Sequence, residues 1–178
     1  FTLIIPLGLI PWKINLMSAF FGSLSVSFLF LKIQKTLKNL DSKAFFKSEK
    51  KNNSHEIFLY YFVPFISSLI FAFTPFFWSQ AIIAEVYTLN AFFFTLVIYL
   101  LLQWQEYVYQ LNKKQYLLLL LIAFIFGLSL TNHQMMILLF PFILAYVLVI
   151  HWKLIYNYKL VLLSLLLCIV GLSVYCYL

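Results

Sequence analysis

The 178 residues are 65% hydrophobic and 10% charged, with a mean hydropathy of +1.00, whereas soluble domains carry about a quarter charged residues. A water-soluble globule, a disordered chain and a collagen-like or linker sequence are all excluded, the last by only 4 Gly and 5 Pro. The net charge of +7 comes from twelve Lys and no Arg against five acids, and most of the lysines lie in connectors between apolar runs, where they read as topology signals and contacts with anionic lipid rather than as a nucleic-acid surface.

Apolar runs long enough to cross about 30 Å of hydrocarbon predict an all-α, polytopic membrane protein of about six transmembrane helices in one domain, 1–178. Taken in chain order, the first helix is expected over 12–31, after a lead-in broken by Pro6, Gly8 and Pro11. The basic segment 32–56 follows as a loop, and a second helix over 57–76 carries Pro64 and Pro75. Further helices are expected over 85–104, 115–130, 134–150 and 158–178. The last four are joined by short connections, so neighbours should pack antiparallel. Opening on Phe1 within an apolar stretch, the chain reads as an internal piece of a longer protein.

Short lysine-rich loops stay in the cytoplasm. With 32–56 inside, simple alternation also places Lys113–Lys114 and the Lys153–Lys159 connector inside, which accounts for every lysine except Lys13. The expected location is therefore a multi-pass inner membrane, with 32–56 cytoplasmic. The opposite edge receives Lys13 and Asn15, the segment Trp78 to Tyr87 with Gln80 and Glu85, and the turn Thr131-Asn132-His133-Gln134. Polar groups beside hydrocarbon are functional candidates by default.

Two readings of Glu85 stay open: a helix N-terminal carboxylate stabilised by the dipole, or a cavity-facing group that binds a sugar, a metal or a reacting hydroxyl. Helical spacing sets Thr88 and Leu89 beneath it and turns Asn90 away by roughly 140°, which favours Asn90 as an interhelical hydrogen bonder. His133 reads either as part of a capping turn, with Asn132 as the cap and His133 hydrogen-bonded to backbone, or as an imidazole that holds a phosphate or moves a proton. His151 lies roughly 27 Å further along in helical rise, so the two form no metal pair, and no metal site is expected. Cys168 and Cys176 are separated by roughly 12 Å of helix and cannot bridge. Zinc spacing, Gly-rich phosphate loops and hydrolase elbows are missing from the sequence.

Three strings carry a resemblance. They are Pro11-Trp12-Lys13-Ile14-Asn15-Leu16-Met17-Ser18-Ala19-Phe20-Phe21-Gly22-Ser23-Leu24; Phe77-Trp78-Ser79-Gln80-Ala81 with Ala84-Glu85-Val86-Tyr87-Thr88-Leu89-Asn90-Ala91; and Gly127-Leu128-Ser129-Leu130-Thr131-Asn132-His133-Gln134 with Pro141. Together, and in this order, they resemble the transmembrane-protein-260-like family, known in bacteria as a domain of unknown function and placed among the GT-C glycosyltransferases. The resemblance implies transfer of a sugar, mannose in the animal member, from a polyprenyl-phosphate carrier to a protein or glycan acceptor outside the cytoplasm. It implies no bound cofactor, with the polyprenyl-phosphate sugar as donor substrate and membrane lipids as partners. The catalytic acid of such enzymes is expected upstream of residue 1. Carried over as substrate-binding candidates are Glu85, Tyr87, Asn90, Asn132 and His133, joined by Gln80 from the same string and by Lys13, which reads equally as a snorkelling lysine. The rival readings are a secondary transporter or flippase and a non-catalytic membrane subunit. A transporter is expected to show broken helices and repeats, and the sequence shows neither.

Overall fold

A computed structural model describes residues 10–42, 56–83 and 86–177. Every regular element among them is helical, the only arrangement besides a closed barrel that satisfies backbone groups in lipid. The chain divides into two units, Phe1–Thr95 and Leu96–Leu178.

In the first unit, α1 runs Ile10–Ser42. The helix therefore continues past the expected stop at residue 31, and the segment 32–42 is helical rather than loop. No Gly or Pro interrupts Lys32 to Ser42, and each further turn satisfies its own backbone. Its 33 residues rise about 50 Å, well beyond the hydrocarbon thickness. Lys38 in this extension sits 5.6 Å from the centroid of the Tyr61 ring, a cation–π contact onto the next element.

The expected second helix is divided. A π turn, Phe58–Phe62, leads into α2, Val63–Ala72. Pro64 has no N–H to give the carbonyl four residues back, and the turn ahead of it widens so that Val63 bonds Phe58. At Phe73–Thr74 the helix breaks, and α3, Pro75–Ile82, departs at 65°. Pro75 is the cause: it drives Thr74 to an extended backbone, ψ 136°. The sequence expectation of no broken helix is thus corrected. Replacing Pro75 by Ala should relax the bend, and spin labels at the exposed positions 58 and 82 should move apart by roughly 6 Å if the pair straightens.

Residues 87–109 form α4, which ends in a Schellman turn: Asn112 N–H bonds the Tyr107 carbonyl, Leu111 N–H bonds that of Val108, and Leu111 takes the left-handed φ of 53° that glycine usually fills. In the second unit α5 spans Lys114–Asn132. A 3-10 turn, Gln134–Leu139, precedes α6, Phe140–His151, and another, Trp152–Tyr156, precedes α7, Tyr158–Leu172. The tight first turn agrees with Pro141, which cannot bond Ile137; Phe140 N–H takes that carbonyl instead.

Trp104, Val97 and Ile122 centre the core of the second unit, with Leu154 and Leu160 beside them. Tyr146 of α6 donates to Gln105 of α4 at 2.6 Å. Large apolar side chains such as Phe76, Leu117, Phe142 and Val149 stand exposed. Each would cost about 1.5–3 kcal/mol in water, so these are lipid-facing positions of a multi-pass membrane protein. Among the described residues five helices are long and apolar enough to cross a membrane, six if the bent α2–α3 pair is one span.

Candidate functional site

In hydrocarbon a hydroxyl that can reach its own helix is satisfied at once. Ser23, Ser25, Ser27, Thr36, Thr95, Ser129 and Thr131 all donate to carbonyls three or four residues back. Against this background, a polar atom left without a partner stands out.

In the first unit, three such atoms fall on the second of the family-like strings. Gln80 Oε1 on α3, and Thr88 Oγ1 and Asn90 Oδ1 on the first turn of α4, are buried with no hydrogen-bond partner among the described residues. Thr88 is 2% exposed. Its own carbonyl accepts a 3.4 Å bond from Ser25 Oγ. The interhelical hydrogen bond expected of Asn90 is therefore not made among the described residues. Leaving such groups unpaired costs about 1–3 kcal/mol each, so a partner supplied from outside the chain has that much to return.

These groups are held in place by α1. Its buried face of Ser18, Gly22 and Ser25 is small enough for close packing. A Cβ added at Gly22 would lie 3.5 Å from Ala81 Cβ, 3.7 Å from Thr88 Cγ2 and 3.9 Å from Phe77 Cζ. The first and second strings therefore meet at Gly22, and Gln80 and Thr88 flank the junction. Phe21 of α1 also packs on Phe92 of α4, with ring centroids 5.3 Å apart. The unpaired Thr88 hydroxyl was missed as a site residue at the sequence level. Its signal was available: a Thr on the face of the Glu-Val-Tyr string, two residues from Asn90.

Of the other candidates, Lys13 lies on α1, half-buried, and Tyr87 opens α4 with its ring exposed. Glu85 lies outside the described residues. Asn132 and His133 belong to the second unit. There the expected cap is corrected: His133, not Asn132, caps the 3-10 turn, its Nδ1 accepting from Met135 N–H at 3.2 Å. An accepting Nδ1 leaves the ring proton of a neutral imidazole on Nε2, a donor of the kind that binds a phosphate oxygen. Replacing His133 by Asn keeps a capping acceptor but removes that donor. We expect stability within about 1 kcal/mol of wild type, by thermal melting, and at least a tenfold loss of any activity that needs the phosphate contact.

Helices long and apolar enough to span a bilayer define a multi-pass membrane protein, and buried oxygens without a partner among the described residues mark its first unit. The chain belongs to the family of the Protein O-mannosyl-transferase TMEM260 N-terminal domain, whose model matches residues 1–156. No curated protein and no solved structure matches it. Family membership gives the chain a glycosyltransferase-like role.

Proposed function

We propose that this chain is the membrane part of a GT-C-type glycosyltransferase that moves a sugar, mannose by the family's name, from a polyprenyl-phosphate carrier to a protein or glycan acceptor on the extracytoplasmic side. The observation that carries the reading is the trio of buried oxygens on Gln80, Thr88 and Asn90 that lack donors. A sugar brings a ring of hydroxyl donors, and few other ligands of a membrane protein do. In this reading Glu85 and Tyr87 add hydrogen bonds to the sugar or the acceptor. In the second unit, taken by itself, His133 offers its Nε2 proton as a hydrogen bond to a phosphate oxygen, and Asn132 helps shape the turn that carries it. Lys13 meets the lipid phosphate. Transfer needs a base on the acceptor hydroxyl and donors on the leaving group, and these residues supply the second of the two.

The lysine distribution supports the sidedness. Counting α2–α3 as one crossing gives six, and leaves 32–56, Lys113–Lys114 and Lys153–Lys159 on one side; a re-entrant α2–α3 gives five and splits them. Cysteine labelling of intact cells should reach position 133 from outside and position 43 only after permeabilisation. Labelling of both from one compartment removes the reading. Transfer itself is tested with full-length protein in membranes and a radiolabelled polyprenyl-phosphate mannose; absence of transfer to any protein or glycan acceptor ends it. The 65° break in the second span favours a flippase as the second reading, and movement of the labelled lipid without transfer would select it.

A further inference from the structure

The second unit contains a groove that the transfer reading does not use. About 350 Å³ lies between α5, α6 and α7, walled by residues such as Leu119, Ile122, Val147, Leu160 and Leu165, with Ser164 and the Cys168 thiol its only polar side chains. Its lining joins Leu119, five residues into α5, to Leu154 in the turn before α7 and Leu160 in the first turn of α7. The beginnings of α5 and α7 therefore share one end of the unit, together with the end of α6.

That end is basic. Lys113 and Lys114 open α5, Lys153 immediately precedes the groove residues Leu154 and Ile155, and Lys159 precedes Leu160 and Val161. All four lysines are exposed. Trp152, Tyr156 and Tyr158 stand exposed among them, as aromatic residues do at headgroup level. Two unpaired buried atoms belong to the same elements: Gln115 Oε1, in a side chain 7% exposed, and His151 Nδ1. Gln115 Oε1 can only accept a hydrogen bond, so an anion alone leaves it unsatisfied, whereas a headgroup that also carries hydroxyls can serve this oxygen and the imidazole nitrogen alike.

We propose that this end of the unit is a site for an anionic glycerophospholipid with a hydroxylated headgroup, such as phosphatidylglycerol. Its phosphate lies among Lys113, Lys114, Lys153 and Lys159, its glycerol hydroxyls serve Gln115 and His151, and one acyl chain fills the groove. Each feature of the lipid has a counterpart: charge against the lysines, hydroxyls against the Gln115 oxygen and the His151 nitrogen, and a flexible chain against an apolar slot. The zwitterionic phosphatidylcholine matches only the last.

The test uses full-length protein from nanodiscs of equal phosphatidylglycerol and phosphatidylcholine, transferred to detergent and read by native mass spectrometry. Retention of phosphatidylglycerol at least tenfold above phosphatidylcholine is expected. The preference should vanish in the K113Q/K114Q/K153Q/K159Q variant, and retention of either lipid should fall in S164F, which fills the groove. A123F repeats the groove test from another wall, and thermal melting in lipid-free detergent verifies that each variant is folded. Equal retention of the two lipids, preference surviving loss of the four lysines, or retention surviving a folded, filled groove overturns the proposal. So does displacement of phosphatidylglycerol by an equal amount of polyprenyl phosphate, which would make the groove part of the donor site.

Discussion

Replacing Gly127 by leucine should pull α5 and α7 apart, with a melting temperature lower by roughly 4–10 °C in detergent and reduced accumulation in the membrane. A Cβ at Gly127 overlaps the Cys168 carbonyl and comes 2.8 Å from its carbon and 2.9 Å from its Cα. Across the crossing, a Cβ at Gly171 overlaps the Phe124 carbonyl and comes 2.7 Å from Leu128 N. The obstacle at both positions is main chain. A side chain can rotate away from an intruding methyl, but a helix backbone moves only as a unit, so the two helices must separate along their length. Between membrane helices that contact is the driving force, since lipid is as apolar as leucine. Alanine at 127 should give an intermediate loss, because one carbon intrudes rather than four. A leucine variant that melts with the wild type would show that the crossing is looser than its geometry.

Removing the unpaired oxygens of the first unit should move stability and activity in opposite directions. Thr88→Val keeps shape and deletes Oγ1; Gln80→Leu and Asn90→Leu delete their amides. A buried acceptor with no donor is a cost to the free protein, so each substitution should leave the melting temperature unchanged or raise it by the equivalent of about 1 kcal/mol. If sugar hydroxyls pair with these oxygens, each deletion should lower transfer roughly threefold to tenfold, and the three together roughly thirtyfold to a thousandfold. Core residues with no functional part would lose stability and activity together. Full transfer in the triple variant would place the oxygens outside the site.

The elements legible in the sequence are those that report on length and solvent. Apolar runs predicted the crossings and placed the starts of α4 and α7 and both ends of α5 within two residues, while the ends of α4 and α7 differ by five and six. Local chemistry was read less well. Both prolines of the second span were visible in the sequence but not the break at Pro75, because proline is tolerated in membrane helices and its presence alone does not separate a continuous span from a broken one. Asn132 was the expected cap, and the structure gives that place to His133, whose side chain accepts from Met135 N–H. Gln80 and Asn90 were legible as polar residues beside hydrocarbon. That they end as orphaned acceptors depends on which neighbours come within reach, a long-range property no local string contains.

By itself the sequence determined that this chain is helical, that it lives in a bilayer, and which connectors are basic, because hydrocarbon demands continuous apolar helices and polar junctions. Only the tertiary structure decided that Gly22 is where the first two strings meet, that Gly127 rests on the backbone of α7, and that an apolar groove ends among four lysines. The reason is that lipid and protein interior are equally apolar. A membrane helix carries no hydrophobic stripe to mark its inner face, and small residues reveal their partners only once the helices have packed.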